Sequence, residues 1–340
     1  MIPTKNNVDT IGQCLSSLMP YYEQRYVSEI IIVDAHSKDG TLETVKDFPV
    51  KLLFDEGINN PYFAREIGWR NAKGELILFM DSDTYLGEGF FPRVFELFKD
   101  EKVGIVGCWA KAVVTNKLTE IIGEWWEYHG EKLKCIQGSH SLIERLYRNV
   151  VWHGSRSVDV TGPCFMVRKK CLEVTNGFKP FLKPDRRLSA DHLLSQTIVE
   201  AGWKSAWWVD APLYRYPSKS TRHLIERYHR WGKGDAFMQS EGQKFFSTKK
   251  FLLSHLGAPL VSLLLTIRFR SFLHIPFFTI ANYAWLMGYL QTCWSTYQEQ
   301  RAKTNMTYFR NIHDVSDFSI ISSAYVMRYS MEILSSTDPV

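Results

Sequence analysis

At 340 residues the chain has room for about two domains, and its 45% hydrophobic and 23% charged content is that of an ordinary globular protein with a full core. The formal net charge of +5 suits phosphate-bearing substrates or an anionic membrane surface, and no dense Lys/Arg run argues for nucleic acid, which is excluded as a partner. The six cysteines (Cys14, Cys108, Cys135, Cys164, Cys171, Cys293) show neither metal-ligand spacing nor a disulfide framework, so reduced thiols are expected; with no signal-peptide pattern after Met1, the catalytic part is expected on the cytoplasmic side.

Asp9 or Thr10 is expected to cap a first helix, whose apolar positions Ile11, Cys14, Leu15, Leu18 and Met19 fall at helical spacing. A buried strand follows over residues 29–34 and ends in Asp34; the small, polar turn Ser37-Lys38-Asp39-Gly40-Thr41 then opens the next helix. Residues 50–54 read as a third strand, and residues 62–72 as a helix ended by Lys73-Gly74. The run Leu76-Ile77-Leu78-Phe79-Met80 then reads as a strand buried on both faces, and it stops at Asp81-Ser82-Asp83. Strands alternating with helices predict a mostly parallel sheet. Ligands of such sheets bind beyond the carboxyl ends of the strands, so Asp34, Asp81 and Asp83 are expected along one edge. Two carboxylates one residue apart repel, and a hard cation such as Mg²⁺ or Mn²⁺ shared with substrate phosphates would relieve them. The competing reading of the same residues is a solvated acidic turn.

The segments Ile2-Pro3-Thr4-Lys5-Asn6, Ile32-Val33-Asp34 with Ser37, Asp39, Gly40 and Thr41, and Ala72-Lys73-Gly74-Glu75 before Asp81-Ser82-Asp83 together resemble the family 2 glycosyltransferases of GT-A fold. The resemblance continues through Thr161-Gly162-Pro163-Cys164-Phe165, Asn176-Gly177-Phe178, Asp191 and Arg230-Trp231-Gly232, covering residues 1–235. It implies an α/β, Rossmann-like nucleotide-diphospho-sugar transferase fold, with a nucleotide-sugar-binding half (1–115) and an acceptor-binding half (116–245), that transfers sugars with inversion from a UDP- or GDP-linked donor. Carried onto this sequence, it implies that Pro3, Thr4, Asn6, Asp34, Arg65, Asp81, Ser82, Arg227, Arg230 and Trp231 bind the nucleotide sugar. Asp34 would hold the base or ribose; Asp83, with Asp81, would hold the metal that bridges the diphosphate. Asp191 would be the general base, although its place near Ser189 equally suits a helix N-terminal acid.

Several positions depart from the family pattern. Ala35 stands where a second acid is common, Ala190 where a Glu precedes the catalytic Asp, and Arg215 in the region that often carries a metal-binding His; Arg215 could instead bind the diphosphate. Relatives usually have more apolar residues before the position of Pro3, so the first strand is trimmed or the start lies upstream. On the basic-aromatic helix of residues 222–233, Arg227 and Arg230 share a face. Trp125, Trp126 and Tyr128 suit sugar stacking or plain packing, with packing favoured.

Beyond residue 245 the composition becomes apolar. Residues 251–267 and 271–297 contain no Asp, Glu, Lys or Arg, and Arg268 and Arg270 lie between them. A span needs about 20 apolar residues, with a lower limit near 17, so residues 246–297 are read as apolar helices that span a membrane or lie on it. Residues 298–340 form a tail in which Asn305-Met306-Thr307 fits a glycosylation pattern that is without meaning on the cytoplasmic side. An apolar module beside the active site points to a lipid-linked acceptor, either polyprenyl phosphate or a lipid-linked glycan. The alternatives are a sugar-1-phosphate nucleotidyltransferase, which would show a Gly-rich loop near the amino terminus, and a catalytically inactive membrane scaffold of the same fold.

Overall fold

The computed structural model describes residues 1–138, 162–182, 190–208, 210–218, 220–240, 262–263 and 265–312. The expected cap at Ser189, the apolar run 251–261 and the tail beyond Ile312 lie outside these, as do the side chains of Tyr128 and of Asn305-Met306-Thr307. Two compact units divide the chain, Met1–Thr292 and Cys293–Val340.

The first half alternates as expected: β1 (Ile2–Thr4), α1 (Val8–Ser16), α2 (Met19–Glu23), β2 (Ile31–Asp34), α3 (Thr41–Val45), β3 (Lys51–Phe54), α4 (Pro61–Arg70) and β4 (Leu76–Met80). Strands β1, β2 and β3 pair in parallel, with Thr4 opposite Asp34 and Asp34 opposite Phe54. The cap of α1 differs from expectation. Asn7 holds the N-cap position with no side-chain cap bond, and Asp9 and Thr10 lie inside the first turn, where an acid still complements the helix dipole.

The sheet is mixed rather than mostly parallel. After β5 (Thr84–Leu86), α5 (Phe90–Leu97), β6 (Val103–Cys108), β7 (Lys111–Ala112) and the long α6 (Lys117–Gly138), the chain returns as β8 (Cys164–Arg168). Strand β8 runs antiparallel between β4 and β6, Met80 facing Cys164 and Val106 facing Met166. The strand-helix alternation that enforces parallel pairing ends at β6, so nothing in the connection prevents the reversal. Helix α7 (Lys169–Thr175), a 3-10 turn (Lys179–Phe181) and α8 (Ala190–Glu200) follow, then β9 (Lys204–Trp208), which pairs in parallel with β6.

The two sheets meet at Met1, whose nitrogen donates to Leu78 O at 2.8 Å while Met80 N–H donates to Met1 O at 3.1 Å. That alternation is the pattern of a parallel pair, so β2 and β4 end at the same edge. Apolar residues of both faces are sequestered in two clusters, one holding Ile11, Leu15, Ile32, Phe90 and Met166, the other Val33, Trp69, Phe79, Phe165 and Leu194. The Asn176-Gly177-Phe178 segment belongs to the second. Both Asn176 and Gly177 have positive φ, and a Cβ on Gly177 would stand 2.5 Å from the Trp69 indole, so only glycine fits.

A third sheet, β5 with β10 (Leu213–Arg215) and β7, sets Arg215 opposite Thr84 at the same edge. Helices α9 (Thr221–Ser240) and α10 (His274–Ile312) complete the described chain. A third apolar cluster joins Ile121 and Ile122 of α6 to Leu224 of α9, Leu265, and Phe277 and Phe278 of α10; Trp125 and Trp126 pack against it. The uncharged run 271–297 therefore has a face buried on protein. Among the described residues no helix is long and apolar enough to cross a membrane.

Candidate functional site

A cleft of about 700 Å³ opens over the carboxyl ends of β1, β2 and β4, and Pro3, Thr4, Arg65, Asp81, Ser82, Asp83, Asp191, Arg227, Arg230 and Trp231 all line it. Ten residues chosen from separate stretches of sequence thus share one wall system. Two others stand behind it. Asp34 is fully buried, its carboxylate accepting from Ser37 N–H at 2.7 Å and from the Ser37 hydroxyl at 2.6 Å. Asn6 uses its side-chain oxygen to accept from Lys38 N–H at 2.9 Å. Both residues therefore brace the Ser37 turn, whatever they offer a ligand.

The acids after β4 are fixed from two sides. Asp81 N–H donates to Pro163 O at 2.7 Å just before β8, and Tyr216 N–H donates to Asp83 O at 2.9 Å just after β10. Three guanidiniums gather on the pair. Arg65 Nη2 donates to Asp81 Oδ1 at 2.7 Å; Arg215 reaches Asp81 Oδ2 through Nη2 at 3.1 Å and Asp83 through Nε at 3.1 Å; Arg227 Nη2 stands 3.7 Å from Asp83 Oδ2. Arg65 is sandwiched as well, with its guanidinium over the rings of Tyr62 and Phe165 at 5.2 and 5.5 Å. Burial raises the Asp81 carboxyl despite Arg65 and Arg215, and burial with the Arg215 charge lowers Arg227 to about 10. Three cations against two carboxylates leave positive charge to spare, which suits a diphosphate.

The same pair fits a hard divalent cation. Asp83 Oδ1 is buried and, beside its ion pair with Arg215 at 3.1 Å, accepts no hydrogen bond, and carboxylate oxygens are the donors Mg²⁺ and Mn²⁺ prefer. Among the described residues no group of three His, Cys, Asp or Glu side chains converges on a metal position. Among the described residues Asp83 and Asp81 are the carboxylates that would hold such an ion.

Asp191 sits in the first turn of α8, where it accepts from the Tyr62 hydroxyl at 3.0 Å and from Gly162 N–H at 3.3 Å. Tyr62 is placed by the start of α4, where the Asn60 side chain caps Tyr62 N–H at 3.0 Å and Pro61 occupies the first turn. Burial and the neighbouring Asp191 push the Tyr62 phenol well above its ordinary value, so it remains a proton donor to the carboxylate.

The lining residues that the sequence reading did not single out as site residues include Asp55, Asn60, Tyr62, Asp235 and Trp285. Asp55 follows β3 directly and accepts from Gly57 and Asn59 N–H at 2.9 Å each; the strand-end rule that selected Asp34 and Asp81 selects it too. Asp235 and Trp285 carry no local signal. Helices α9 and α10 cross closely enough that a Cβ on Gly232 would lie 1.9 Å from Trp285 O, and one on Gly288 2.0 Å from His229 O. That crossing brings the Trp285 indole N–H to Asp235 Oδ2 at 2.8 Å.

The cleft thus joins paired acids, three guanidiniums and a braced third carboxylate at one strand edge. The family described as glycosyl transferase family 2 matches residues 1–174, just over half of the chain, and the chain belongs to that family, with a GT-A-like α/β glycosyltransferase fold. It is 32% identical over 111 residues to the poly(ribitol-phosphate) beta-glucosyltransferase of Bacillus spizizenii, covering 31% of this chain and 18% of that protein. It is 22% identical over 254 residues to the probable glycosyltransferase YdaM of Bacillus subtilis, covering 70% of this chain and 55% of that one. The chain spans well under two thirds of the curated relatives it matches. In fold it is similar to the mannosyltransferase PcManGT of Pyrobaculum calidifontis, solved with GDP-Man and Mn²⁺, at a TM-score of 0.54 and 16% identity over 86% of each chain.

Proposed function

We propose that the protein is an inverting, metal-dependent glycosyltransferase that moves a sugar from a UDP- or GDP-linked donor to an acceptor at a membrane surface. The observation that carries this reading is the convergence of Asp81, Asp83, Asp191, Arg215 and Arg227 on one cleft. Residues 1–115 bind the donor, Pro3, Thr4, Asp34 and Ser82 shaping the nucleoside pocket with Asn6 and Arg65. Residues 116–245 supply the acceptor wall, with Arg230 and Trp231 at its rim. A Mg²⁺ or Mn²⁺ ion on Asp83 and Asp81 would offset the negative charge of the departing nucleoside diphosphate. Arg215 and Arg227 share that task from the protein side, turning from the acids toward the phosphates as the donor enters.

Asp191 takes the proton of the acceptor hydroxyl as its oxygen bonds to the anomeric carbon; the bond from that carbon to the phosphate oxygen breaks, and its electron pair leaves with the nucleoside diphosphate. Tyr62 and Gly162 N–H hold the Asp191 carboxylate in place. Attack from the face opposite the leaving group inverts the anomeric centre.

The acceptor is read as lipid-linked, either polyprenyl phosphate or a lipid-linked glycan, and the catalytic domain as cytoplasmic. Support comes from α10 and the turn before it: Phe272 in the turn and Tyr283 and Met287 on the helix, with exposures of 79%, 66% and 58%, stand on solvent, as does Leu290. An apolar helix surface of this kind suits the plane of an interface. The test is to incubate purified protein with Mn²⁺ or Mg²⁺ and a panel of UDP- and GDP-sugars, measuring nucleoside diphosphate release with and without a membrane lipid extract. Lipid-stimulated release supports the reading. No release across the panel, together with no metal-dependent nucleotide binding, overturns it.

A further inference from the structure

Asp235 is an acid of the cleft that the reaction just described leaves unused. It lies on α9, lines the cleft with His192 and Trp285, and is half-buried. Burial pushes its carboxyl up to about 6, against the opposing pull of the Trp285 N–H and the His192 ring. Keeping a carboxylate there is costly, because a neutral indole N–H offsets burial less than a cation would. The close crossing at Gly232 and Gly288 nevertheless fixes its partner at 2.8 Å.

Charge is divided within the cleft. Arg215 and Arg227 sit on Asp83, and Arg230 is near enough to Arg227 to depress it further. Asp235 belongs to a different neighbourhood, with His192, the residue after Asp191, and the aromatic Trp285. Carboxylates repel a phosphate anion but accept hydrogen bonds from hydroxyls, and an indole beside them offers a face for the C–H groups of a sugar ring.

Resting on the glycosyltransferase reading, we propose that Asp235, oriented by the Trp285 indole, binds a hydroxyl of the acceptor, and that the acceptor's reacting end is therefore a neutral, hydroxyl-bearing sugar rather than a phosphate monoester. Helix α10 is then part of the acceptor site as well as a surface element.

The test uses the full chain with UDP- and GDP-sugars as donors. One arm offers a panel of octyl glycosides as acceptors and the other offers dodecyl phosphate. Transfer to a glycoside in preference to the alkyl phosphate is expected. Asp235→Asn, which keeps an oxygen for the indole, should raise KM for the glycoside about tenfold with the donor KM changed by less than about twofold. Asp235→Glu should recover part of that loss. Preferential transfer to dodecyl phosphate overturns the proposal, as does donor hydrolysis with no glycoside used, or an equal rise of both KM values in Asp235→Asn. A wild-type protein that neither binds nor cleaves any donor removes the glycosyltransferase reading itself, and the proposal with it.

Discussion

The Tyr62 hydroxyl donates to Asp191 Oδ1 at 3.0 Å across 129 residues of chain. The bond joins the start of α4 to the first turn of α8, so the candidate base is aimed by a residue from the first half of the chain. Removing the base should lower kcat by about 10² to 10⁴ while nucleotide binding persists. Tyr62→Phe should lower kcat by about ten- to a hundredfold, the value of one hydrogen bond to a charged group. Steady-state kinetics beside isothermal titration with UDP and GDP separates the two effects, and an Asp191→Asn variant of full activity would end the assignment.

Arg215 and Asp83 form the second testable relationship, since on the proposed function their contact is remade when a diphosphate arrives. Arg215→Met should weaken donor binding and leave the two acids short of compensation, whereas Asp83→Asn should remove the metal response of binding. Titrating each variant with nucleoside diphosphate, with and without Mn²⁺, gives the contrast. Undiminished Mn²⁺ stimulation in Asp83→Asn would show that this carboxylate is not a ligand.

The crossing of α9 and α10 leaves no volume at Gly232, where an added Cβ would meet Trp285 O at 1.9 Å. Gly232→Ala should destabilise the fold by about 1–3 kcal/mol through overpacking, partly offset by about 1 kcal/mol of helix propensity. Thermal unfolding measures the balance. A rise in Tm would mean that the helices separate without cost.

Asp235 sets a pH dependence whose sign can be worked out. Its carboxyl is raised from 3.8 to about 6 in the folded protein, so the native state binds the proton more tightly than the unfolded chain. Its contribution to stability is therefore fullest below about pH 3.8 and is lost as pH rises through about 6. The Trp285 N–H and the His192 ring pull the carboxyl the other way. The Tm difference between Asp235→Asn and wild type should shift in favour of the variant between those two values and then level off. A difference independent of pH would show that the carboxyl is not buried in solution.

Membrane association is checked by flotation with vesicles containing anionic lipid. Phe272→Glu and Met287→Glu replace exposed apolar side chains of α10 and of the turn that leads into it, and each should reduce the bound fraction several-fold, on the order of the 1.5–3 kcal/mol of a buried apolar side chain. Equal flotation of both variants and wild type would remove α10 as the contact.

The sequence by itself determined the elements and the edge at which chemistry would occur. An unbroken apolar run from Leu76 to Met80 must be buried on both faces, and the acids that end it must then emerge at a sheet edge. The same local logic located Asp34 and would have located Asp55. The tertiary structure decided which groups face one another. It buried Asp34 behind the Ser37 turn, reversed β8, set Arg215 against acids more than 130 residues away, and brought Trp285 to Asp235 through two glycines. Those outcomes depend on strand register and helix crossing, which arise from contacts between segments remote in sequence. Periodicity and strand-end position are local properties and were legible; the partner of a charge is not local, and only the folded chain supplies it.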